Sequence, residues 1–276
     1  MNFPPYSVLM SVYHREKAPW LKTSVESMLN QTIAPDQIVL VKDGPLTSEL
    51  DAVIDEFTTA NPDLFTIVVS EENIGLGRAL ALGMEHCRNE IVARMDTDDI
   101  AVADRMEKQL AVLANDETLS IIGSNIAEFN ESTENIISRR VVPATHDEIC
   151  DYLKSRCPFN HMSVTFRKSE VEKAGNYQHW HYNEDSYLWV RMYLAGCKFQ
   201  NISEDLVFAR INDDTFSRRG GYKYYKSERD LFKFMKDNKI ITGFEYFKAK
   251  TVRFIVQVLM PNGVRKWFFK KFARNK

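Results

Sequence analysis

Glu90-Ile91-Val92-Ala93-Arg94-Met95-Asp96-Thr97-Asp98-Asp99 runs from an apolar stretch straight into three carboxylates within four positions. Its first half has the length and composition of a buried strand. Its second half sets an electrostatic problem, because carboxylates this close raise one another's pKa unless a cation lies among them. Oxygen ligands at a strand end suit a hard divalent ion such as Mg2+ or Mn2+. Such an ion commonly completes its shell with phosphate oxygens, which implies a phosphate-bearing substrate. An acidic turn that caps a helix uses the same residue types. The tetrapeptide alone leaves both readings open.

Outward from this stretch the chain alternates between two hydrophobic periods. Ser7 to Val12 reads as a short buried strand, and Trp20, Leu21, Val25, Met28 and Leu29 then recur at helical spacing. Gln37 to Val41 is a second strand, closed by Lys42-Asp43-Gly44-Pro45, with a helix marked by Leu50, Val53, Ile54 and Phe57. Phe65 to Val69 is a third, followed by a loop at Asn73-Ile74-Gly75-Leu76-Gly77 and a helix through Ala79 to Cys87. This order predicts an α/β fold: a mainly parallel sheet with right-handed crossovers and helices on both faces. Ligands of such open sheets bind outside the carboxyl ends of the strands. Asp43, Asn73 and Asp96 to Asp99 all follow strand ends, so the topology gathers them along one rim.

The second half is less regular. A helix is expected from about Ala103 to Ala114, a strand from Leu119 to Phe129, a surface loop from Asn130 to Ser138 and a half-buried strand from Met162 to Phe166. Glu184-Asp185 opens a helix that Gly196 terminates, and acidic residues in a first turn also complement the helix dipole.

At 276 residues, 44% hydrophobic and 27% charged, the composition is that of a globular protein without low-complexity tracts or repeats. Cys87, Cys150, Cys157 and Cys197 have neither zinc-site nor CxxC spacing, and no apolar leader opens the chain, so a reduced, cytoplasmic setting is expected. No run approaches the roughly 18 apolar residues of a membrane span. The net charge of −2 hides an asymmetry: residues 247–276 hold nine Lys or Arg and no acid, against 27 basic and 38 acidic residues before them. Within this tail Phe247, Phe254, Ile255, Val258 and Leu259 share one helical face, with Lys250, Arg253 and Gln257 opposite. After Pro261-Asn262-Gly263, Val264, Trp267, Phe268 and Phe272 continue an apolar face between basic residues. Helices of this composition lie in lipid interfaces, and each basic residue near an anionic surface contributes about 1 kcal/mol. An anionic membrane surface is therefore the expected partner, and nucleic acid is not. The alternative is a basic helical pair packed on the acidic body.

Taken in order, Ser7 to Tyr13, Val41-Lys42-Asp43-Gly44, Asn73 to Gly77, Ala93 to Asp99, Arg105 to Gln109, Asn160-His161-Met162-Ser163, Glu184-Asp185 and Ser217-Arg218-Arg219 form a succession that resembles a family 2 glycosyltransferase of the GT-A fold. The resemblance runs from about Ser7 to Tyr225 and is strongest to bacterial exopolysaccharide and O-antigen enzymes of the amylovoran-biosynthesis type. It implies a Rossmann-like sheet with a C-terminal amphipathic helical extension. It divides the chain into a nucleotide-sugar-binding half at 1–100, an acceptor-binding half at 101–220 and a basic tail at 221–276. It also implies roles. Tyr13, Asp43 and Asn73 would hold the nucleotide of a UDP-sugar. Asp96 and Asp98 would form the metal-binding pair, with Asp98 the direct ligand of Mn2+ or Mg2+. Asp185 would be the base, and Arg218 and Arg219 would lie over the diphosphate, where a solvated basic loop is the alternative. Glu184, His161 and Trp180 fall on the acceptor side, where capping, a structural hydrogen bond and core packing are their respective alternatives. The implied activity is inverting transfer of one hexose, from UDP-galactose or UDP-glucose, to a polyprenyl-diphosphate-linked saccharide on the inner face of the cytoplasmic membrane. The Gln-x-x-Arg-Trp motif of processive synthases is missing. A UDP-sugar-binding scaffold without catalysis is the competing reading, and it would not need Asp185.

Overall fold

The computed structural model describes residues 3–211, 220–261 and 263. β1 (Tyr6–Val12) forms the middle of its parallel half, because five of its seven residues are apolar and nearly all are buried. It pairs in parallel with β2 (Gln37–Asp43) on one side and β4 (Ile91–Arg94) on the other, and β2 pairs in parallel with β3 (Phe65–Ser70). Each crossover carries one helix: α1 (Ala18–Leu29), α2 (Ser48–Ala60) and α3 (Leu76–His86).

Side chains alternate across a strand, so these fully buried strands feed two cores. Val8, Met10, Ile38 and Leu40 meet Leu21, Val25 and Met28 of α1 and Leu50 and Ile54 of α2. On the opposite face Leu9, Val39, Val41 and Val92 meet Ala79, Leu80 and Met84 of α3. The strand order is β3-β2-β1-β4, so the winding reverses between β1 and β4. A reversal of this kind opens a crevice at the carboxyl ends of the two strands.

Beyond β4 the sheet becomes mixed. β5 (Ile100–Ala101), α4 (Arg105–Asn115), β6 (Leu119–Phe129), β7 (Ile136–Arg140), α5 (His146–Leu153), β8 (Thr165–Arg167), α6 (Lys168–Lys173), α7 (Glu184–Leu194) and β9 (Lys198–Arg210) complete a nine-stranded sheet. β8 is inserted antiparallel between β4 and β6, β9 runs parallel to β6, and β5 closes the edge antiparallel to β9. α8 (Tyr222–Asp237) buries Tyr225, Leu231, Phe232 and Met235, whereas α9 (Gly243–Phe254) buries no residue.

Two elements differ from the sequence expectation. The last three residues of the expected surface loop, Ile136 to Ser138, open β7, an edge strand alternating between half-buried and exposed residues and too polar to show a strand pattern. The expected strand at Met162 starts later, because Ser163 donates from its backbone N and its Oγ to the Asn160 carbonyl and holds His161–Ser163 in a 3-10 turn. Arg218 and Arg219 lie outside the described residues, as do Val264, Trp267, Phe268 and Phe272.

α3 lies close on the sheet at Gly83, where an added Cβ would stand 2.5 Å from Leu9 Cδ1 and 2.7 Å from Val41 Cγ2. Overpacking a filled core typically costs about 1–3 kcal/mol. Gly83→Val should lower the unfolding free energy by that margin, read as a lower urea midpoint at unchanged slope. An unchanged midpoint would mean that α3 slides without penalty.

Candidate active site

The crevice between β1 and β4 is walled by residues that follow the strand ends. Tyr13 is half-buried just past β1. Asp43 ends β2 almost fully buried, and its carboxylate organises the loop that starts α3. Oδ1 accepts from Ile74 N at 2.7 Å, and Oδ2 accepts from Asn73 Nδ2 at 3.0 Å and from Gly75 N at 3.2 Å. Asn73 also donates to the Asp43 carbonyl, and its side chain lies at the surface.

Past β4, one oxygen from each of Asp96, Asp98 and Asp99 lies within 4.8 Å of the others. Burial pushes Asp98 from the ordinary 3.8 up to about 7, with the Asp96 charge adding to the effect. Burial, and next the Asp98 charge, raise Asp99 well above the ordinary carboxylate value. Three oxygen donors under this strain are what a hard divalent cation relieves, so the donor set fits Mg2+ or Mn2+. The three are not equivalent. Asp99 accepts from Arg210 N at 2.7 Å, which ties it to β9, whereas Asp96 and Asp98 are half-buried toward the cleft.

Beneath them lies Arg94, with no solvent exposure. Its Nη2 is 2.5 Å from Asp96 Oδ1, yet no guanidinium nitrogen has a well-aligned hydrogen-bond acceptor among the described residues. The contact is therefore chiefly electrostatic. Burial alone would lower the Arg94 pKa, but the charges of Asp96, Tyr177 and Asp99 hold it above the usual value. Arg105 supports this layer from below, donating Nη2 to the carbonyls of Arg94 and Val164.

The opposite wall is the N-terminus of α7. Asp185 Oδ1 accepts from Ser186 N at 2.6 Å, and Oδ2 faces the Cys157 thiol at 3.7 Å. Burial raises Asp185, against the pull of the Ser186 N–H. Burial and then the Asp185 charge raise Glu184 from 4.5 to about 8, while Arg94 opposes the shift and Asp96 adds to it. The two walls thus share one field. They also touch: a Cβ on Gly77 would lie 2.9 Å from Glu184 Cβ and 2.8 Å from the Gln178 carbonyl, so only glycine lets α3 meet α7.

His161 is buried, with Nε2 2.9 Å from the Tyr177 hydroxyl and its ring edge-on to Trp189. Burial, and next Arg94, lower its pKa well below the ordinary value. Trp180 is half-buried, donates Nε1 to the Ser227 carbonyl and packs its ring 4.3 Å from Tyr187. Four further residues contribute to the site. Glu16 accepts from Thr97 Oγ1 at 3.0 Å beside the acidic cluster. Arg210 donates to the Asp98 carbonyl and stacks over Trp20 and Phe129. Tyr177 and Cys157 complete the set. Arg94 stood in the quoted stretch, and a charge inside an apolar strand run was the signal for it. Glu16, Cys157, Tyr177 and Arg210 carried none, because tertiary contacts alone bring them here.

A family model for glycosyl transferase family 2 matches residues 7–172. The amylovoran biosynthesis glycosyltransferase AmsE of Erwinia amylovora is 37% identical over 269 residues, spanning 96% of this chain and 98% of that one. An Escherichia coli enzyme named UDP-Gal:alpha-D-GlcNAc-diphosphoundecaprenol beta-1,3-galactosyltransferase is 35% identical over 275 residues, spanning 98% of this chain and 97% of the relative. Among solved structures, residues 1–349 of S. aureus TarS in complex with UDP-GlcNAc superpose with a TM-score of 0.70 at 14% identity, covering 96% of this chain and 79% of that one. That likeness carries the fold. The rim of carboxylates at the β1/β4 switch, the family match over most of the sheet and the full-length relatives lead to one conclusion: this chain is a glycosyltransferase of family 2, with the GT-A fold.

Proposed function

We propose that the protein is an inverting, non-processive hexosyltransferase of bacterial surface polysaccharide biosynthesis. It moves one hexose, from UDP-galactose or UDP-glucose, to a lipid-linked saccharide. The observation that carries this reading is the convergence of Asp96, Asp98 and Asp99 with Glu184 around Arg94, with Asp185 next to Glu184. The names of the relatives support it, one of them citing UDP-Gal and a diphosphoundecaprenol-linked sugar.

In this reading Tyr13, Asp43 and Asn73 hold the nucleoside, and Arg218 and Arg219 hold the diphosphate. Asp98 and Asp96 hold a Mn2+ or Mg2+ ion, whose Lewis acidity, when bound, offsets charge on the departing diphosphate. Asp185 takes the proton of the acceptor hydroxyl as that oxygen bonds to the anomeric carbon. The bond from that carbon to the diphosphate breaks on the opposite face, and UDP leaves with the electron pair. Glu184 orients the acceptor. A carboxyl whose pKa burial has raised is a stronger base, which suits proton abstraction.

The same reading includes an anionic membrane surface. α9 meets the body through Tyr246 and Ala249 and through Arg253, which is paired to Glu228 at 3.2 Å and stacked over Phe232; beyond the helix the buried Gln257 bonds Glu228. Apolar residues nevertheless face outward, with Phe244 77% and Phe247 61% exposed on α9 and Leu259 61% exposed beyond its end. No helix among the described residues is long and apolar enough to cross a membrane. An outward apolar face of this kind suits a lipid interface.

Three outcomes test the reading. A panel of UDP-sugars, assayed against a synthetic diphosphate-lipid monosaccharide with and without Mn2+, should identify one hexose donor. On that donor Asp185→Asn should lower kcat by about 10²- to 10⁴-fold while UDP affinity is retained. Near-full turnover, or lost UDP binding, would remove Asp185 from the role. Second, the folded Asp98 carboxyl holds its proton up to about pH 7, whereas the unfolded one releases it near 3.8. Without a cation, stability therefore falls as pH rises through that window. The rise in Tm on adding Mn2+ should grow from about pH 5 to about pH 8 and largely vanish in Asp98→Asn. A pH-independent rise would argue for binding elsewhere. Third, Phe244→Asp with Phe247→Asp should release the full chain from anionic vesicles, and unchanged flotation would remove the membrane face.

A further inference from the structure

A cavity of about 490 Å³ opens beside the cleft, between the loop before α7 and the first turns of α8. His179, Trp180, His181, Lys223, Lys226 and Ser227 line it. Asp230 contributes the one acid, and it is engaged by Arg229, whose Nε and Nη2 donate to it at 2.9 and 2.7 Å. Lys223 and Lys226 are exposed and have no ion pair among the described residues. The lining is therefore cationic and aromatic, and its volume falls in the range of about 300–1,000 Å³ usual for small-molecule sites.

The walls are built rather than loose. Ser227 clasps the loop through three hydrogen bonds: its carbonyl accepts from Trp180 Nε1 at 3.2 Å, its Oγ donates to the His181 carbonyl at 2.5 Å, and the Oγ accepts from Asn183 Nδ2 at 3.0 Å. Tyr182 is held in the left-handed region at φ 58°, a conformation that a bulky residue keeps only where its surroundings impose it. The same clasp fixes Asn183, the residue before Glu184 and Asp185, so cavity and base share one anchoring point. On its other flank α8 packs against α9, with Tyr225 edge-on to Phe254 at 5.3 Å between ring centres.

The geometry points to this cavity as the seat of the diphosphate of the lipid-linked acceptor, an inference that rests on the proposed function and extends it to an acceptor subsite. Ammonium groups bind phosphate as point charges, and an indole offers a flat face to a sugar ring. The cavity is joined to both sides of the reaction: Ser227 in its wall holds Asn183, the residue before Glu184 and Asp185, and α8, which carries Lys223 and Lys226, packs on α9 through Tyr225 and Phe254. An acceptor whose diphosphate sits here reaches the base with its sugar hydroxyl and the lipid surface with its polyprenyl chain. The donor diphosphate belongs to the other wall, beside Asp98, so the two diphosphates do not compete for one set of charges.

The test is kinetic and spectroscopic, on the full chain carrying Lys223→Gln and Lys226→Gln together. The KM for a sugar on a diphosphate-alkyl carrier should rise by at least about tenfold, while the KM for the UDP-sugar and for the same sugar on a neutral alkyl chain stay within about twofold. With divalent ions chelated, inorganic pyrophosphate should shift the His179 and His181 imidazole resonances of the unaltered chain, and the double variant should lose these shifts. Equal losses on both acceptors, an unchanged KM, or absent pyrophosphate shifts would overturn the subsite. Lost vesicle flotation with unchanged kinetics would assign the lysines to lipid headgroups instead. Failure of the unaltered chain to turn over any acceptor would count against the enzyme reading, and the pyrophosphate titration would still decide whether the cavity holds the anion.

Discussion

The structure depends on one buried charge. Arg94 ends β4 with no exposure, and removing an ion of this size from water carries a penalty of several kcal/mol unless opposite charge surrounds it. Asp96 at 2.5 Å is the nearest answer, and the fields of Asp99 and Glu184 reach the same guanidinium. The dependence runs both ways. Asp96, Asp98, Asp99 and Glu184 crowd one cleft, and the Arg94 guanidinium opposes their repulsion, whereas Asp185 beside them is opposed by Arg140. His161 belongs to the same account: burial first and Arg94 second keep its imidazole neutral, so it serves as a hydrogen-bond partner of Tyr177.

Topology decides where that charge cluster opens to solvent. Because the chain leaves β3 and returns on the far side of β1, α1 and α2 cover one face and α3 the other, and the order reverses between β1 and β4. The acidic turn follows β4 directly. α7 closes the cleft only because Gly77 allows α3 to approach Glu184, so the donor loop and the base-bearing helix are mechanically joined through a position without a side chain. Asp43 adds to this joint by holding Ile74 and Gly75 at the start of α3.

The C-terminal part of the described chain divides between body and surface. α8 contributes Leu231, Phe232 and Met235 to the core that also holds Trp189, while α9 sets Tyr246, Ala249 and Arg253 against the body and leaves Phe244 and Phe247 exposed. Arg253 is held there by Glu228 at 3.2 Å and by the Ser155 carbonyl, which accepts from its Nη2 at 2.7 Å.

Local signals were enough for the parallel half. Runs of alternating period fixed β1 to β4 and their helices, and the crowding of Asp96, Asp98 and Asp99 announced a site at a strand end, because both follow from short-range pattern and Coulomb repulsion. The mixed half was harder to read. β7 carries Ser138, Arg139 and Arg140 on an exposed edge, and β9 holds Glu204 and Asp205 within a strand, so neither shows the apolar run that marks a buried strand. The 3-10 turn at His161 arises from hydrogen bonds to Asn160. What only the tertiary structure decided is the partnership across the cleft: Arg94 with Asp96 and Glu184, Cys157 with Asp185, Arg210 with Asp99. These pairs lie up to 111 residues apart in the chain. Sequence pattern reports which face of an element is buried, whereas the pairing of charges is set by where the sheet brings those faces together.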